Sequence, residues 1–286
     1  MTNLFFAIFG GMADKAGSSF APRRRGLSGA YHGLTPRAAI MGSLRDRKTA
    51  ISLAAALLLV AFEFTAAADS SEAEIKGRQL AEMLMAQHPT ENYTNTGVLH
   101  IRDGHGNRTD VPVRYEIHVT PANWSMTYDA SIGFGERLVI GYADTRATEY
   151  HFHAQNGKEV TLSGNQTMFP LAGSDFWIAD LGQEFLQWPR QKILKKETKR
   201  SRDCTVLEST NPNPTAGSYS RVVSWIDSEN SGFVQAYAYD ASGQLLKEFY
   251  PKDVKKVDGQ WRVGMMEMEN DQTGSRTRLE FNLGRH

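Results

Sequence analysis

Cysteine is almost absent from this 286-residue chain. Cys204 stands alone, so no intrachain disulfide can brace the fold and an ordinary apolar core must do so. Net charge is absent as well, lysine plus arginine matching aspartate plus glutamate at 32 each. The balance is uneven: residues 1–68 hold 8 basic and 3 acidic side chains, which leaves 24 and 29 for the rest. A mildly acidic body lacks the basic surface that phosphate backbones require, so no nucleic acid is expected among the partners. The apolar run Ala50–Phe62 is shorter than the roughly 20 residues of a spanning helix. Catalytic signatures are missing too. There is no nucleophile elbow, no cysteine pair, no phosphate loop and no His-Glu metal helix. His151 and His153 share one face of a strand, but the alternate residues Tyr150 and Phe152 are the apolar ones. The histidines are therefore expected to face solvent, with no metal, no cofactor and no enzymatic activity.

What is present reads as strands. In the last one, Thr277, Leu279, Phe281 and Leu283 alternate with Arg276, Arg278, Glu280 and Asn282, which gives a sheet one wet and one apolar side. Upstream, Tyr219, Val223 and Trp225 alternate with Ser220 and Ser224, and Phe233, Tyr237 and Tyr239 follow. Asp240-Ala241-Ser242-Gly243 and Asp258-Gly259 are tight-turn signals. The apolar face is expected to carry Trp225, Tyr237, Tyr239, Met266 and Met268, with Glu267 and Glu269 on the opposite polar face.

Residues 41–68 have the three parts of a secretory signal: a basic front, an apolar run, and small residues before Asp69. An uncleaved anchor is the other reading. Residues 1–40 show no usable period and read as disordered, or as sequence upstream of a natural start at Met41. From Ser70 or Ser71 a capped helix is expected, with Ile75, Leu80, Met83 and Leu84 at helical spacing and Pro89 as its stop. Strands follow: Val98–Arg102; a long one through Val111, Val113, Tyr115, Ile117 and Val119, in which Pro112 marks an edge or bulge; Trp124, Met126 and Tyr128; Arg137–Tyr142; Thr148–Gln155; and, after Asn156-Gly157, Lys158–Leu162.

The pattern breaks between Phe169 and Trp188. Ser174 is the expected N-cap, and Phe176, Trp177, Leu181, Phe185, Leu186 and Trp188 follow at helical spacing, as a plug in the sheet or a movable lid over it. Arg190–Arg202 carries Lys192, Lys195, Lys196, Lys199, Arg200 and Arg202, either a solvated hairpin or a surface for anionic lipid headgroups. Cys204 is expected to be a small buried hydrophobe.

Several segments resemble one family. Leu171-Ala172-Gly173-Ser174-Asp175-Phe176, Asp180-Leu181, Phe185-Leu186 and Trp188-Pro189 are similar to the bacterial outer-membrane lipoprotein-sorting proteins, in their uncharacterised LolA-like branch. So are Ser224-Trp225-Ile226-Asp227, Ala238-Tyr239-Asp240, Leu246-Lys247-Glu248-Phe249 and Met266-Glu267-Met268. The likeness covers roughly residues 75–283 and is densest over 171–283. It implies a mainly β (α+β) fold: a curved antiparallel sheet forming an incomplete β-barrel, with helices over its concave hydrophobic face. No position is matched to the arginine with which the carriers lock their lid.

The expected organisation is thus an extension (1–40), a signal peptide (41–68) and a LolA-like domain (69–286). The expected function is a monomeric periplasmic carrier that binds acyl chains of a lipid or lipoprotein, with an inner-membrane transporter as loading partner. A periplasmic sensor or scaffold of the same fold is the alternative. Each acyl CH₂ brought into water costs about 0.8 kcal/mol, so exposing a diacyl anchor costs on the order of 20 kcal/mol and a carrier must offer comparable apolar shelter. Flexible methionines and aromatics suit varied chains. The expected lipid-binding residues are Trp124, Met126, Trp225, Tyr237, Met266 and Met268 on the sheet and Phe176, Trp177, Leu181 and Phe185 on the lid. N-terminal sequencing of the mature protein is expected to begin near Asp69; a mature chain still carrying residues 1–40 would refute the processing scheme.

Overall fold

Strands succeed one another along the chain in two runs, each strand turning back antiparallel to the one before it in its run. The computed structural model describes residues 71–143, 146–257 and 260–283; the expected extension and signal segment lie outside these, as does the turn at Asp258-Gly259. One arm is β1 (Tyr93–Arg102), β2 (Arg108–Val119), β3 (Asn123–Asp129), β4 (Arg137–Ala143), β5 (Arg146–His153) and β6 (Glu159–Leu162). The other is β7 (Arg190–Lys199), β8 (Arg202–Thr210), β9 (Arg221–Asp227), β10 (Phe233–Tyr239), β11 (Leu245–Val257), β12 (Gln260–Asn270) and β13 (Ser275–Phe281).

All thirteen make one antiparallel sheet in the order β6-β5-β4-β3-β2-β1-β13-β12-β11-β10-β9-β8-β7. The two arms join only where β1 pairs with β13, from Gly97 opposite Phe281 to Arg102 opposite Arg276. β6 and β7 are the free edges, so the sheet is an open, incomplete barrel. The chain between them, residues 163–189, has to travel from one edge to the other. This is the mainly β architecture that the alternation implied.

The inner face is built by the period-two residues. Val111, Val113, Tyr115 and Ile117 on β2, Met126 and Tyr128 on β3, and Leu279 and Phe281 on β13 are all buried in one core. Tyr115 anchors it, its ring centroid 5.1 Å from that of Tyr128 and 5.9 Å from that of Phe281, both tilted as aromatic quadrupoles prefer. Pro112 sits where β2 pairs with β1 but β3 has not yet begun, since the β2–β3 register starts at Arg114. On that side there is no ladder for its missing N–H to interrupt. The Asp240 turn forms as its composition requires: the carboxylate accepts from the backbone N–H groups of Ser242 and Gln244, and Gly243 takes φ +83°.

The outer face of the second arm departs from expectation. Trp225 and Tyr237 do not join the inner core. With Cys204, Val206, Val223 and Val234, Trp225 makes a separate cluster, against which Tyr237 and Tyr239 pack. Inward positions on these strands belong to Val222, Ile226, Phe233, Ala236 and Ala238. Both faces of β9 are buried, and a bulge between Phe233 and Gln235 shifts the register of β10. Under those conditions alternation separates two faces without saying which is inside.

Residues 71–85 form helix α1. Its packed stripe is Gly77, Leu80, Ala81 and Leu84, whereas Ile75 and Met83, expected on that stripe, are exposed. The reason is Gly77. A Cβ there would lie 2.6 Å from the backbone of Gln191 and Lys192, so the bare backbone of α1 lies directly on β7, and this contact sets which side faces the core. Gly77→Ala is expected to lower stability by about 1–3 kcal/mol, despite a gain of roughly 1 kcal/mol in helix propensity, because β7 cannot give way as a side chain would. A thermal midpoint that rises in this variant would contradict the close approach.

Candidate functional site

The connector between β6 and β7 crosses the inner face of the sheet. Its sequence, rich in aromatics at helical spacing, leads one to expect a helix from Ser174 to Trp188, but only one α-turn forms, α2 (Ile178–Leu181), with 3₁₀ turns at Gly164–Thr167 and Glu184–Gln187. The N-cap is Trp177, whose backbone N–H donates to the Asp180 carboxylate at 2.8 Å. Gly182 ends the turn, and Gln183 at φ +52° redirects the chain. The aromatic spacing therefore reflects burial of an irregular segment: Phe176, Ile178, Leu181, Phe185, Leu186 and Trp188 are all in the core.

Between connector and sheet lies an apolar void of about 30 Å³, enough for about two water molecules and far short of an acyl chain. Phe176, Leu181 and Phe185 line it from the connector, and Met266, Met268, Phe233 and Phe249 from the sheet. Five of the ten expected residues thus converge there. Met126 is buried on the same inner face away from the void. Trp124 is half-buried and stacked on Tyr142, with centroids 3.9 Å apart. Trp177 turns aside to stack on Tyr219 at 4.6 Å. Trp225 and Tyr237 lie on the other side of the sheet.

One charged group in this apolar wall escaped the sequence reading. Lys247 of β11 is only 2 % exposed. Its Nζ donates to the carbonyl oxygen of Asp175 (2.7 Å), lies 3.7 Å from Asp180 Oδ2, and sits 3.7 Å above the Trp177 ring centroid. Asp180 also accepts from the Tyr219 hydroxyl at 3.1 and 3.2 Å. The one legible signal was that Lys247 shares the inward period of β11 with Phe249. Burial pushes the Lys247 ammonium down to about 7, against the pull of Asp180 and Asp175. Burial likewise raises the Asp180 carboxyl, against the pull of Lys247.

Further polar contacts pin the connector along its length. The Asp175 N–H donates to Thr277 Oγ1 (2.8 Å), and the Thr277 hydroxyl donates back to Asp175 Oδ2 (2.8 Å). The Ala172 N–H donates to Glu136 Oε2 (2.7 Å). Gln191 Nε2, buried at the start of β7, donates to the carbonyl oxygens of Phe185, Leu186 and Trp188. The arrangement offers no nucleophile beside a base. It is a hydrophobic cleft closed by a segment that one buried cation clamps at both Asp175 and Asp180.

Comparison with known proteins agrees with this geometry. A family model described only as an uncharacterized protein matches residues 138–283, just over half of the chain. No curated protein matches it. Among solved structures, a DUF1329 family protein from Desulfovibrio piger aligns with TM-score 0.59 at 19% identity, over 73% of this chain and 91% of that one. A domain described as an outer membrane lipoprotein-sorting protein from Vibrio parahaemolyticus aligns with TM-score 0.61 at 21% identity, over the same shares. A LolA superfamily protein from Nitrosomonas europaea aligns with TM-score 0.48 at 16% identity, over 74% and 91%. The fold is the one shared with the Desulfovibrio piger and Vibrio parahaemolyticus structures.

The position of Lys247 has a consequence for stability. Between about pH 7 and 10.5 the unfolded chain keeps a proton that folded Lys247 has lost, so the unfolded state binds more protons and stability rises with pH across that window. In calorimetry the wild type is expected to gain up to about 1.4 kcal/mol per pH unit relative to Lys247→Met. Parallel profiles for the two proteins would show that Lys247 does not titrate there.

Proposed function

The chain belongs to the family of uncharacterized proteins whose model spans its second half, and from that premise we propose that it is a periplasmic carrier of acyl chains, belonging to a lipid or lipoprotein, in its closed form. The observation that carries the reading is the connector itself, an apolar segment laid over an apolar sheet, with polar contacts around Lys247 that fix where it lies. Swinging it aside exposes six large side chains, at about 1.5–3 kcal/mol each. Burying an acyl chain of roughly sixteen methylenes returns on the order of 13 kcal/mol at about 0.8 each. The two are of similar size, so cargo can replace the connector against the sheet at little net cost. Binding to such a cleft involves no covalent chemistry, and the expected cargo donor is an inner-membrane transporter.

The smallness of the void favours a second reading, a sensor or scaffold domain of this fold whose interior stays filled by its own side chains and which binds a membrane protein. A fluorescent fatty-acyl probe separates the two. A carrier is expected to bind it, and Lys247→Met to bind it more tightly, on the order of tenfold, because weakening the clamp populates the open form. No bound lipid in native mass spectrometry, together with no probe binding by either protein, would leave the scaffold reading alone.

A further inference from the structure

The hairpin of β7 and β8 carries charge out of proportion to the rest of the molecule. Residues 190–202 hold seven lysines and arginines against one acid, Glu197. Lys195 is paired with Glu197 and Arg202 with Asp227, each at 2.7 Å. Among the described residues, the other five cations have no carboxylate at ion-pair distance. Lysine on an edge strand guards against pairing with another sheet, and one or two would serve. That guard does not account for what surrounds them. A bulge between Ile193 and Lys195 takes Leu194 out of register and leaves it 43 % exposed. The same bulge puts Lys192, opposite Glu208, and Lys195, opposite Val206, on one face although they are three residues apart. That is the outer face of Trp225 and Tyr237. There Lys199 Nζ lies 4.9 Å from the Trp225 ring centroid, Arg200 stands 4.4 Å from that of Tyr250, and Arg221 lies 3.9 Å from that of Tyr239.

Cations over amphipathic rings, with an apolar side chain exposed among them, are what the boundary between water and a bilayer selects. We propose that the outer face at the β7–β8 edge is a docking surface for a bilayer that carries anionic headgroups. The lysines of that face, Lys192, Lys195 and Lys199, meet the headgroups, and Leu194 enters the boundary between them. The inference does not depend on the carrier reading, since the surface lies on the side of the sheet away from the cleft. It has a structural link to it all the same. The connector ends at Pro189, immediately before β7, and Gln191 of β7 holds its last carbonyl groups, so the docked strand is the one that anchors the connector.

The test is amide hydrogen exchange of the full chain, read at residues 190–202, with vesicles of phosphatidylcholine alone and of phosphatidylcholine and phosphatidylglycerol in equal parts. A local readout is needed because the apolar segment near the N-terminus can hold the chain on either vesicle. Exchange in the hairpin is expected to slow on the anionic vesicles only, and added salt to reverse the effect. Replacing Lys192, Lys195 and Lys199 by glutamine should weaken the contact about fivefold per lysine, on the order of a hundredfold in all. Leu194→Asp should weaken it while leaving the three lysines in place. Unchanged near-UV circular dichroism would establish that the variants are folded. Equal exchange on both kinds of vesicle, or protection that survives the lysine substitutions, overturns the proposal.

Discussion

A single sheet that does not close obliges the chain to cross its own open face. With β6 at one edge and β7 at the other, residues 163–189 must span the gap, and the apolar inner face takes their side chains out of water. Everything distinctive about the molecule follows from that crossing. The connector is apolar because it covers an apolar wall. It is irregular in that Gly182 and Gln183 break the helix where the path bends.

Hydrophobic contact alone would hold such a segment without fixing where along the sheet it lies. Lys247 changes that. A buried ion pair is weak evidence of stability, since desolvation consumes most of its attraction. Its geometry nonetheless selects one arrangement: the ammonium meets the Asp175 carbonyl, the Asp180 carboxylate and the Trp177 ring together, and all three lie on the connector. The Thr277–Asp175 exchange and the Gln191 clamp act on the same segment from β13 and β7, which spreads the fastening over both arms of the sheet.

Much of the fold was legible in the residues. Strands β1 to β6 stand within a few positions of their apolar combs, the turns at Asn156-Gly157 and Asp240–Gly243 form where Gly and Asn or Asp demand, and the inner row Thr277, Leu279 and Phe281 is buried as alternation required. The family resemblance pointed to the same open sheet. The site was read less completely. Phe176, Leu181, Phe185, Met266 and Met268 meet at the void, but Trp225 and Tyr237 lie on the far side. A strand buried on both faces carries no mark of which is inner. Lys247 was passed over because a lysine in an alternating strand ordinarily signals solvent, and its partners are 72 and 67 residues away in sequence. The rotation of α1 was hidden for a related reason: hydrophobicity favours Ile75 and Met83, whereas contact is decided by Gly77, which has no side chain to score.

Local periodicity and turn chemistry, which act between residues a few places apart, were enough to determine the class of fold, the strands and their order of hairpins, and the apolar character of the segment that interrupts them. What only the tertiary structure decided were the relations that no local rule reaches: which side of β9 and β10 faces in, that the interruption is a loop with one helical turn, and that a lysine from β11 clamps it. Those depend on the pairing of β1 with β13 and on the route of the connector between two distant edges. Energies of that kind belong to the assembled chain, because they arise from groups that share nothing in sequence and meet only once the sheet has formed.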